Sequence, residues 1–266
     1  MSKNNIISGM KTFINGILNS FDELMFPEFK CFLCGREVEM TELHICNDCL
    51  KEFKLIKGKV CEICGLPIEE PNVICDECKT MQFEFDVARA SFIYTNKTSK
   101  LITDLKFRNK KYLAKFLAYC MSLTLKNYPM NFDYIVPVPI SDERRRQRGF
   151  NQSELIADEL SSIVQKPVLN NLIMRTKTTP NQKELSRVQR MKNLVGAFCV
   201  EKTKEYEGKD LLIIDDVFTT GATVNEVARM LRQLNPGSIC VLTAGKTVLS
   251  ANGEKKVKKK VKNSNR

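Results

Sequence analysis

The sequence predicts an α/β protein in which an open, mostly parallel sheet follows a small cysteine-rich module. The continuous apolar run at residues 211–214 is typical of a strand that is covered on both faces. Apolar residues at helical spacing follow it, namely Val224, Val227, Ala228, Leu231 and Leu234. Eight of the eleven cysteines lie between residues 31 and 78. At 266 residues and 43% hydrophobic content, the chain is long enough for two unequal domains.

Two carboxylates and a turn of small residues come directly after the apolar run. Asp215 and Asp216 should sit at the carboxyl end of the strand, where their oxygens can accept hydrogen bonds from vicinal sugar hydroxyls. The turn offers hydroxyls, a glycine that lets the backbone approach closely, and N–H groups at a helix N-terminus, all of which suit a phosphate. It consists of Thr219, Thr220, Gly221, Ala222 and Thr223. The combination predicts a site for a phosphorylated sugar.

An apolar run that ends in two aspartates also resembles the second nucleotide motif of ATPases. Such proteins carry a phosphate loop of the form G-x-x-x-x-G-K-[ST]. The nearest match ends in Gly245, Lys246 and Thr247, but Cys240 stands at the first glycine position and the order relative to the aspartates is reversed. We therefore set the ATPase interpretation aside, and an ordinary buried strand with a polar end is the remaining alternative.

Residues 211–223 as a whole resemble the 5-phosphoribosyl 1-pyrophosphate (PRPP) motif of type I phosphoribosyltransferases. Residues 133–139, 148–152 and 182–198 extend the resemblance to the ComF (ComFC-like) competence proteins, which also carry the cysteine-rich front half. Lys246 stands where the final strand of the family usually closes on an arginine. The resemblance implies a type I phosphoribosyltransferase-like sheet and a role in competence and DNA uptake.

The same resemblance assigns roles to single residues. Asp215 and Asp216 would hold the ribose hydroxyls of PRPP, and residues 219–223 its 5′-phosphate, with Mg²⁺ bound alongside. The loop at residues 137–149 would receive the pyrophosphate. Its assigned residues are Val138, Pro139, Arg144 and Arg148.

The clustered cysteines form four C-x-x-C pairs, whose spacing lets both thiolates of a pair reach one tetrahedral zinc ion. Each C-x-x-C pair with its turn is called a knuckle here. If consecutive knuckles share one ion, there are two structural sites. The first would use Cys31, Cys34, Cys46 and Cys49, and the second Cys61, Cys64, Cys75 and Cys78. Interleaved pairing stays open. A disulfide framework is the competing interpretation, but we expect a cytosolic chain with reduced cysteines.

Four segments are expected along the chain. They are an amphipathic N-terminal helix at residues 1–28, the double zinc ribbon at 29–80, the phosphoribosyltransferase-like domain at 81–250 and a disordered basic tail at 251–266. The helix should dock on the main domain, with a membrane surface as the alternative. Because no stretch is long enough for a transmembrane helix, we expect a cytoplasmic location, with the inner face of the membrane as a second option.

Further elements of the main domain follow from local patterns. A strand is predicted within residues 83–94, a helix at 111–126 and a strand that ends near Val136, because the prolines behind it cannot donate to a ladder. Asn151 should cap the next helix. Residues 175–190 could form a hood over the site.

Positive charge is unevenly distributed. Residues 254–266 hold six lysines, one arginine and one glutamate, a net charge of +6, which leaves +5 of the formal +11 for the rest. The tail is read as a solubility segment or as a polyanion-binding one. We expect further basic clusters at the carboxyl edge of the sheet, at Lys97, Lys100, Lys106, Arg108, Lys110, Lys111, Arg144–Arg146, Arg148, Arg175, Lys177, Lys183, Arg187, Arg190 and Lys192. They would attract PRPP or single-stranded nucleic acid, or form a merely solvated surface.

Three functional hypotheses result. The first is a magnesium-dependent phosphoribosyltransferase, a glycosyltransferase that uses PRPP. The second is a non-catalytic component of DNA uptake that binds PRPP or single-stranded DNA, and the third an adapter whose ribbons dock a helicase-like motor. Because the chain has one histidine, embedded in the ribbon at position 44, a Ser-His-Asp hydrolase is excluded.

Overall fold

The computed structural model describes residues 30–38, 43, 45–176, 194, 196–201 and 203–248. The N-terminal helix, His44, most of the hood segment and the basic tail fall outside these residues. The chain divides into two compact units between Glu52 and Phe53. The boundaries at residues 28, 80 and 250 stay predictions.

The first unit holds the first two cysteine pairs. Lys30 and Glu37 form an antiparallel bridge across the first knuckle, and helix α1 (Asn47–Glu52) begins directly after Cys46. The Arg36 guanidinium lies 3.1 Å from the Asp48 carboxylate, which joins the knuckle to the helix. Both side chains are more than half exposed, so this pair adds little stability.

The second unit is built on a four-stranded parallel sheet. Its strands, in spatial order, are β1 (Val87–Ile93), β6 (Ile239–Lys246), β5 (Leu211–Phe218) and β2 (Tyr134–Pro137). β5 is therefore an interior strand. Helices also pack against it and residues 211–214 are all buried, which explains the continuous apolar run. Strands β3 (Ile173–Arg175) and β4 (Phe198–Val200) form a separate antiparallel pair.

Helices cover the sheet. The described helices of the second unit are α2 (Asp76–Lys79), α3 (Asn96–Phe107), α4 (Leu113–Asn127), α5 (Asp142–Arg148), α6 (Gln152–Val164), α7 (Ala222–Leu231) and a 3₁₀ turn (Arg232–Leu234). Helices α4 and α6 pack on each other and on the sheet, whereas α7 packs on β5 and the β3–β4 pair. Successive residues of β5 point to opposite faces. Leu211 and Ile213 share one core cluster with α7 and with the second cysteine set.

Several predicted elements are confirmed. The helix predicted at 111–126 is α4, β2 ends one residue after Val136, and the Asn151 side chain accepts a hydrogen bond from the Ser153 amide at the start of α6. The helix after the motif is α7.

Two details of the prediction are wrong. Strand β5 does not stop at Ile214 but continues through both aspartates to Phe218, because it still pairs with β6 over that stretch. The segment read as a loop at 137–149 contains the helix α5. Its charged residues gave no apolar periodicity, yet Ser141 caps it and Gly149 ends it in a left-handed conformation at φ 77°.

Candidate functional site

Both aspartates of the motif lie on β5 and are nearly closed to solvent. Asp215 is 9% exposed and Asp216 is 4% exposed. Buried carboxylates require partners, because an unpaired charge in the interior is costly. Helices α3 and α6 bring those partners from distant parts of the chain.

Asp216 receives a cation and an amide. The Lys106 ammonium, at the end of α3, lies 2.5 Å from Oδ2, and Gln152 Nε2, at the start of α6, donates to Oδ1 at 3.0 Å. Burial alone would raise the pKa of Asp216, but the charge and hydrogen bond of Lys106, with help from Gln152, hold it below its usual value. Asp216 therefore carries a negative charge at neutral pH.

Asp215 has a different environment. Its Oδ1 accepts hydrogen bonds from Ser153 Oγ at 3.2 Å and from the Asp216 amide at 2.8 Å, and no cation contacts it directly among the described residues. Burial, and then the charge of Asp216, raise the pKa of Asp215 to about 8. The two adjacent carboxyl groups consequently share about one negative charge at neutral pH, since like charges this close resist joint ionisation.

The turn that follows β5 is closely packed. Gly221 has a φ of 76° and precedes the first residue of α7, so the turn runs into a helix N-terminus. A Cβ at Gly221 would lie 2.6 Å from the Phe218 ring, which leaves room only for glycine. Thr247, beyond β6, donates from its amide to the Phe218 carbonyl at 3.0 Å and from its hydroxyl to the Thr219 carbonyl at 3.3 Å.

The remaining turn residues complete this arrangement. Thr220 is buried, and its Oγ1 accepts a hydrogen bond from the Ala222 amide at 3.3 Å. Thr219 and Thr223 are half-buried. The assignment of these residues to a phosphate stays a prediction.

The predicted pyrophosphate residues lie on β2's extension and on α5. Val138 and Pro139 are buried, and the Val138 amide donates to the Ile214 carbonyl at 2.9 Å. Arg148 Nη1 donates to Gln152 Oε1 at 2.8 Å, so this guanidinium is joined through Gln152 to Asp216. Burial, and then the neighbouring charge of Arg144, lower the pKa of Arg148. The structure thus places Arg148 near Asp216, with Arg144 one turn earlier on the same helix.

Lys106, Gln152 and Ser153 were not recognised as partners of the aspartates. Lys106 is 110 residues from Asp216 in the sequence, and Ser153 is 62 residues from Asp215. Local patterns carry no information on such pairs. The one available signal was the position of Gln152 and Ser153 at the first turn of a helix that follows the basic segment.

Lys246 occupies the position of the expected arginine. It is only 2% exposed, and its ammonium lies 3.8 Å from the centroid of the Phe218 ring, a cation–π contact. The pKa of Cys64 is lowered to about 4, mainly by its hydrogen bond with Cys78 and further by the positive charge of Lys246. Lys246 therefore lies between the turn and the second cysteine set.

The eight cysteines form two clusters with consecutive pairing, as predicted. Within each set the sulfur atoms all lie within 4.8 Å of one another. Cys34 and Cys46 sulfurs are 3.8 Å apart, and Cys64 and Cys75 sulfurs 3.7 Å apart. Zinc–sulfur bonds of about 2.3 Å at tetrahedral angles require sulfur separations of about 3.8 Å. Both clusters therefore fit a structural zinc ion with four thiolate ligands, and interleaved pairing of the knuckles is wrong.

Fold, turn and clusters define a class of protein: a double zinc ribbon joined to a phosphoribosyltransferase-type sheet. The double zinc ribbon domain family matches residues 21–79, and the phosphoribosyl transferase domain family matches residues 148–265. Competence protein F of Haemophilus influenzae is 30% identical over 222 residues, which are 81% of this chain and 96% of that protein. The chain belongs to this ComF family of competence proteins.

Other relatives also match most of the chain. The DNA utilization protein YhgH of Escherichia coli strain K12 is 31% identical over 206 residues, 76% of this chain and 89% of its own. Competence protein ComFC of Bacillus subtilis is 28% identical over 196 residues, 70% of this chain and 77% of its own. Among solved structures, adenine phosphoribosyltransferase of Saccharomyces cerevisiae is 17% identical, with 53% of this chain and 72% of that chain covered and a TM-score of 0.36.

None of the described helices combines the length and the apolar character needed to cross a bilayer.

Proposed function

We propose that this protein binds PRPP at the carboxyl end of β5. The observation that carries the proposal is the buried pair of Asp215 and Asp216, held by Lys106 and Ser153 and followed directly by the Gly221 turn. A carboxyl pair that accepts from vicinal hydroxyls, next to a helix N-terminus that suits a phosphate, matches the two ends of a ribose 5-phosphate.

Each part of PRPP has a matching group. The ionised Asp216 would accept a hydrogen bond from one ribose hydroxyl, and Asp215, when protonated, can both donate and accept. The turn of Thr219, Thr220, Gly221, Ala222 and Thr223 would hold the 5′-phosphate. The guanidinium of Arg148, with Arg144 nearby, would face the pyrophosphate.

Magnesium would enter with the ligand. Among the described residues, the clusters of three or more potential metal ligands are the two cysteine sets, and neither includes the aspartates. Mg²⁺ keeps several waters and typically binds phosphate oxygens in such sites, so the pyrophosphate of PRPP would supply its main ligands. The ion would neutralise charge on the pyrophosphate.

Phosphoribosyl transfer is the reaction that this arrangement would serve. An acceptor nitrogen would form a bond to the ribose C1 carbon as the bond from C1 to the pyrophosphate oxygen breaks, and pyrophosphate would leave with that electron pair. The residues named above would act by positioning and by stabilising the charge that develops, and no side-chain nucleophile is needed. Binding without turnover remains the alternative, because a fold does not establish chemistry.

The cellular role is proposed from the relatives. Their names refer to competence and to DNA utilization. We propose that this protein acts in DNA uptake or use, from the cytoplasm. Docking of a helicase-like motor on the zinc ribbons stays a prediction.

Single-stranded DNA is the second candidate ligand, favoured by one specific group of contacts. Lys100, Arg108 and Lys110 all lie within 4.0 Å of the buried Asp104 carboxylate, so three cations surround one anion on α3 and its extension. These three cations outnumber the single carboxylate and lie close to Lys106 in the sequence. Their excess positive charge can attract phosphates. The basic tail lies outside the described residues.

Calorimetric titration of the full chain with PRPP, with and without Mg²⁺, tests the proposal. Saturable binding that strengthens with Mg²⁺ supports it, and ribose 5-phosphate, which lacks the pyrophosphate, should bind more weakly. Absence of heat with PRPP at micromolar to millimolar concentrations contradicts it. Pyrophosphate release in the presence of nucleobases or DNA then separates transfer from binding alone.

A further inference from the structure

An aromatic ring stands exposed beside the candidate site. Phe107 is the last residue of α3 and is 67% exposed, more than any other large hydrophobic residue found exposed in the described part of the chain. Single exposed apolar residues are common and need no explanation by themselves. This ring differs because the Arg148 guanidinium lies 4.8 Å from its centroid.

The ring and the guanidinium are held in place by the site itself. Arg148 is fixed by Gln152, which also bonds Asp216, and the residue before Phe107 is Lys106, which pairs with Asp216. Both ends of the Phe107–Arg148 pair are thus tied to one buried carboxylate. A pre-organised flat surface loses little conformational entropy when a ligand stacks on it.

Positive charge continues from the ring along the chain. Arg108 follows Phe107 directly and is 63% exposed, and Lys110 is 33% exposed, with both bound to Asp104. Lys111 is a further cation, and the Phe150 ring whose centroid lies 5.2 Å from it is itself buried. An exposed aromatic face beside several cations is a combination by which proteins hold single strands, since a base stacks on the ring while the cations contact phosphates.

We propose that Phe107, backed by Arg148, is a stacking platform for an unpaired base of single-stranded DNA. The inference deepens the DNA-binding part of the proposed function and rests on it. A paired base does not present its face, so the platform selects single strands. The strand's phosphates would contact the cations that follow the ring, and the platform would set one base next to the PRPP site.

The test compares Phe107→Ala with Phe107→Tyr, using Met174→Ala as the matched control because Met174 is also exposed, at 54%. Fluorescence anisotropy would follow a labelled oligo-dT and an abasic strand of equal length and charge. We expect Phe107→Ala to weaken oligo-dT binding by about tenfold and Phe107→Tyr to preserve it. Abasic binding and the salt slope should stay unchanged, because no phosphate contact is removed.

A second variant reports on stacking directly. The chain contains no tryptophan, so Phe107→Trp introduces a single tryptophan, at the platform. Oligo-dT should quench its emission, whereas the abasic strand should not. Any of three results would overturn the platform. They are an equal loss of affinity for oligo-dT and for the abasic strand in Phe107→Ala, an unchanged affinity of that variant for oligo-dT, or unquenched Trp emission when oligo-dT is bound to Phe107→Trp.

The same measurements distinguish failure of the platform from failure of DNA binding as a whole. If the wild-type chain binds neither strand at low salt, both the platform and the DNA-binding part of the proposed function are wrong. PRPP calorimetry on the same protein shows whether the PRPP site survives that result. If both strands bind wild type and Phe107→Ala alike, the platform alone is wrong.

Discussion

Lys106 and Ser153 make the two adjacent aspartates chemically different. Asp216 has an ammonium at 2.5 Å, whereas the hydrogen-bond donors to Asp215 are a hydroxyl and a backbone amide. The pair therefore presents one ionised and one protonated carboxyl group near neutral pH. The ionised carboxylate of such a pair can accept a hydrogen bond from one sugar hydroxyl. The protonated carboxyl group can donate to the next hydroxyl or accept from it.

The raised pKa of Asp215 predicts a pH dependence of stability. The usual pKa near 3.8 rises to about 8 in the folded protein. Between these values the folded state holds a proton that the unfolded chain has lost, so stability should fall as pH rises from about 4 to 8. Asp215→Asn should flatten that slope in thermal unfolding measured across pH 5–9, and the exposed Asp158→Asn should not. Equal slopes in wild type and Asp215→Asn would contradict the protonated state.

Removal of the Lys106 charge should destabilise the fold. Lys106→Gln leaves the buried Asp216 without its cation, and the loss of a hydrogen bond to a charged group costs about 1.5–3 kcal/mol. Lys126→Gln, on the exposed end of α4, is the control and should change stability by less than about 0.5 kcal/mol. Urea unfolding at pH 7 measures both, and equal midpoints would mean that the ion pair does not form in solution.

How much of the site could be predicted depends on sequence distance. The carboxylates, the turn and the helix behind it are contiguous, so their chemistry could be read from one segment. Lys106 could be recognised only as one of many basic residues, because nothing in a local pattern shows that α3 ends at β5. The protonation difference between the aspartates was likewise unpredictable without these tertiary partners.

At the scale of elements, the turn between β5 and α7 is braced by aromatic rings. Phe218 makes edge contacts with Phe83 and Phe85, at centroid distances of 6.4 and 6.0 Å, and carries Lys246 on its face. Gly221 rests against Phe218, and Thr247 bonds the carbonyls of Phe218 and Thr219. The position of the turn is consequently set by packing behind it.

Gly221→Ala tests this packing. The substitution places a methyl group 2.6 Å from the Phe218 ring in addition to straining a left-handed residue. Gly208→Ala has the same type of strain, with φ 71°, but nothing within 4 Å of the new atom. We expect Gly208→Ala to cost about 1 kcal/mol and Gly221→Ala about 2–4 kcal/mol, with weaker PRPP binding for Gly221→Ala alone. Equal costs in chemical unfolding would show that the contact with Phe218 is relaxed without loss.

Element prediction succeeded where burial is regular and failed where it is not. β5 and α7 have apolar periodicities that match their buried faces. α5 has no buried residue and was read as a loop, although its cap residues Ser141 and Gly149 were present in the sequence. The length of β5 was underestimated because aspartates are rare in strands, and pairing with β6 overrides that preference.

At the scale of the whole chain, the second cysteine cluster belongs to the core of the sheet unit. Its four cysteines share a buried cluster with Ile213, Val241 and Val227. The knuckle is also joined to β1, because the Ala88 amide donates to the Ile63 carbonyl at 2.6 Å and Arg89 Nη1 donates to the Glu62 carbonyl at 3.1 Å. Metal bound there should therefore stabilise the sheet as well as the ribbon.

Two cysteine variants separate the clusters. Cys61→Ser removes a fully buried ligand of the second cluster, and Cys34→Ser removes a ligand of the first. Each should lower the zinc content from two ions per chain, but only Cys61→Ser should speed amide hydrogen exchange in β5 and β6. Undisturbed protection of these strands in Cys61→Ser would contradict the shared core, and a full complement of two zinc ions in either variant would contradict its cluster.

The PRPP affinity of the Asp215→Asn, Asp216→Asn double variant, measured by calorimetry with Mg²⁺, tests the central claim most directly. Neutral amides lose charge-assisted acceptance from the ribose hydroxyls, so PRPP affinity should fall by about 1.5–3 kcal/mol, and Asp158→Asn should bind PRPP like the wild type. Circular dichroism would establish that the double variant is folded. Wild-type affinity in the folded double variant would show that the aspartate pair does not hold the ribose, and the proposed site would be wrong.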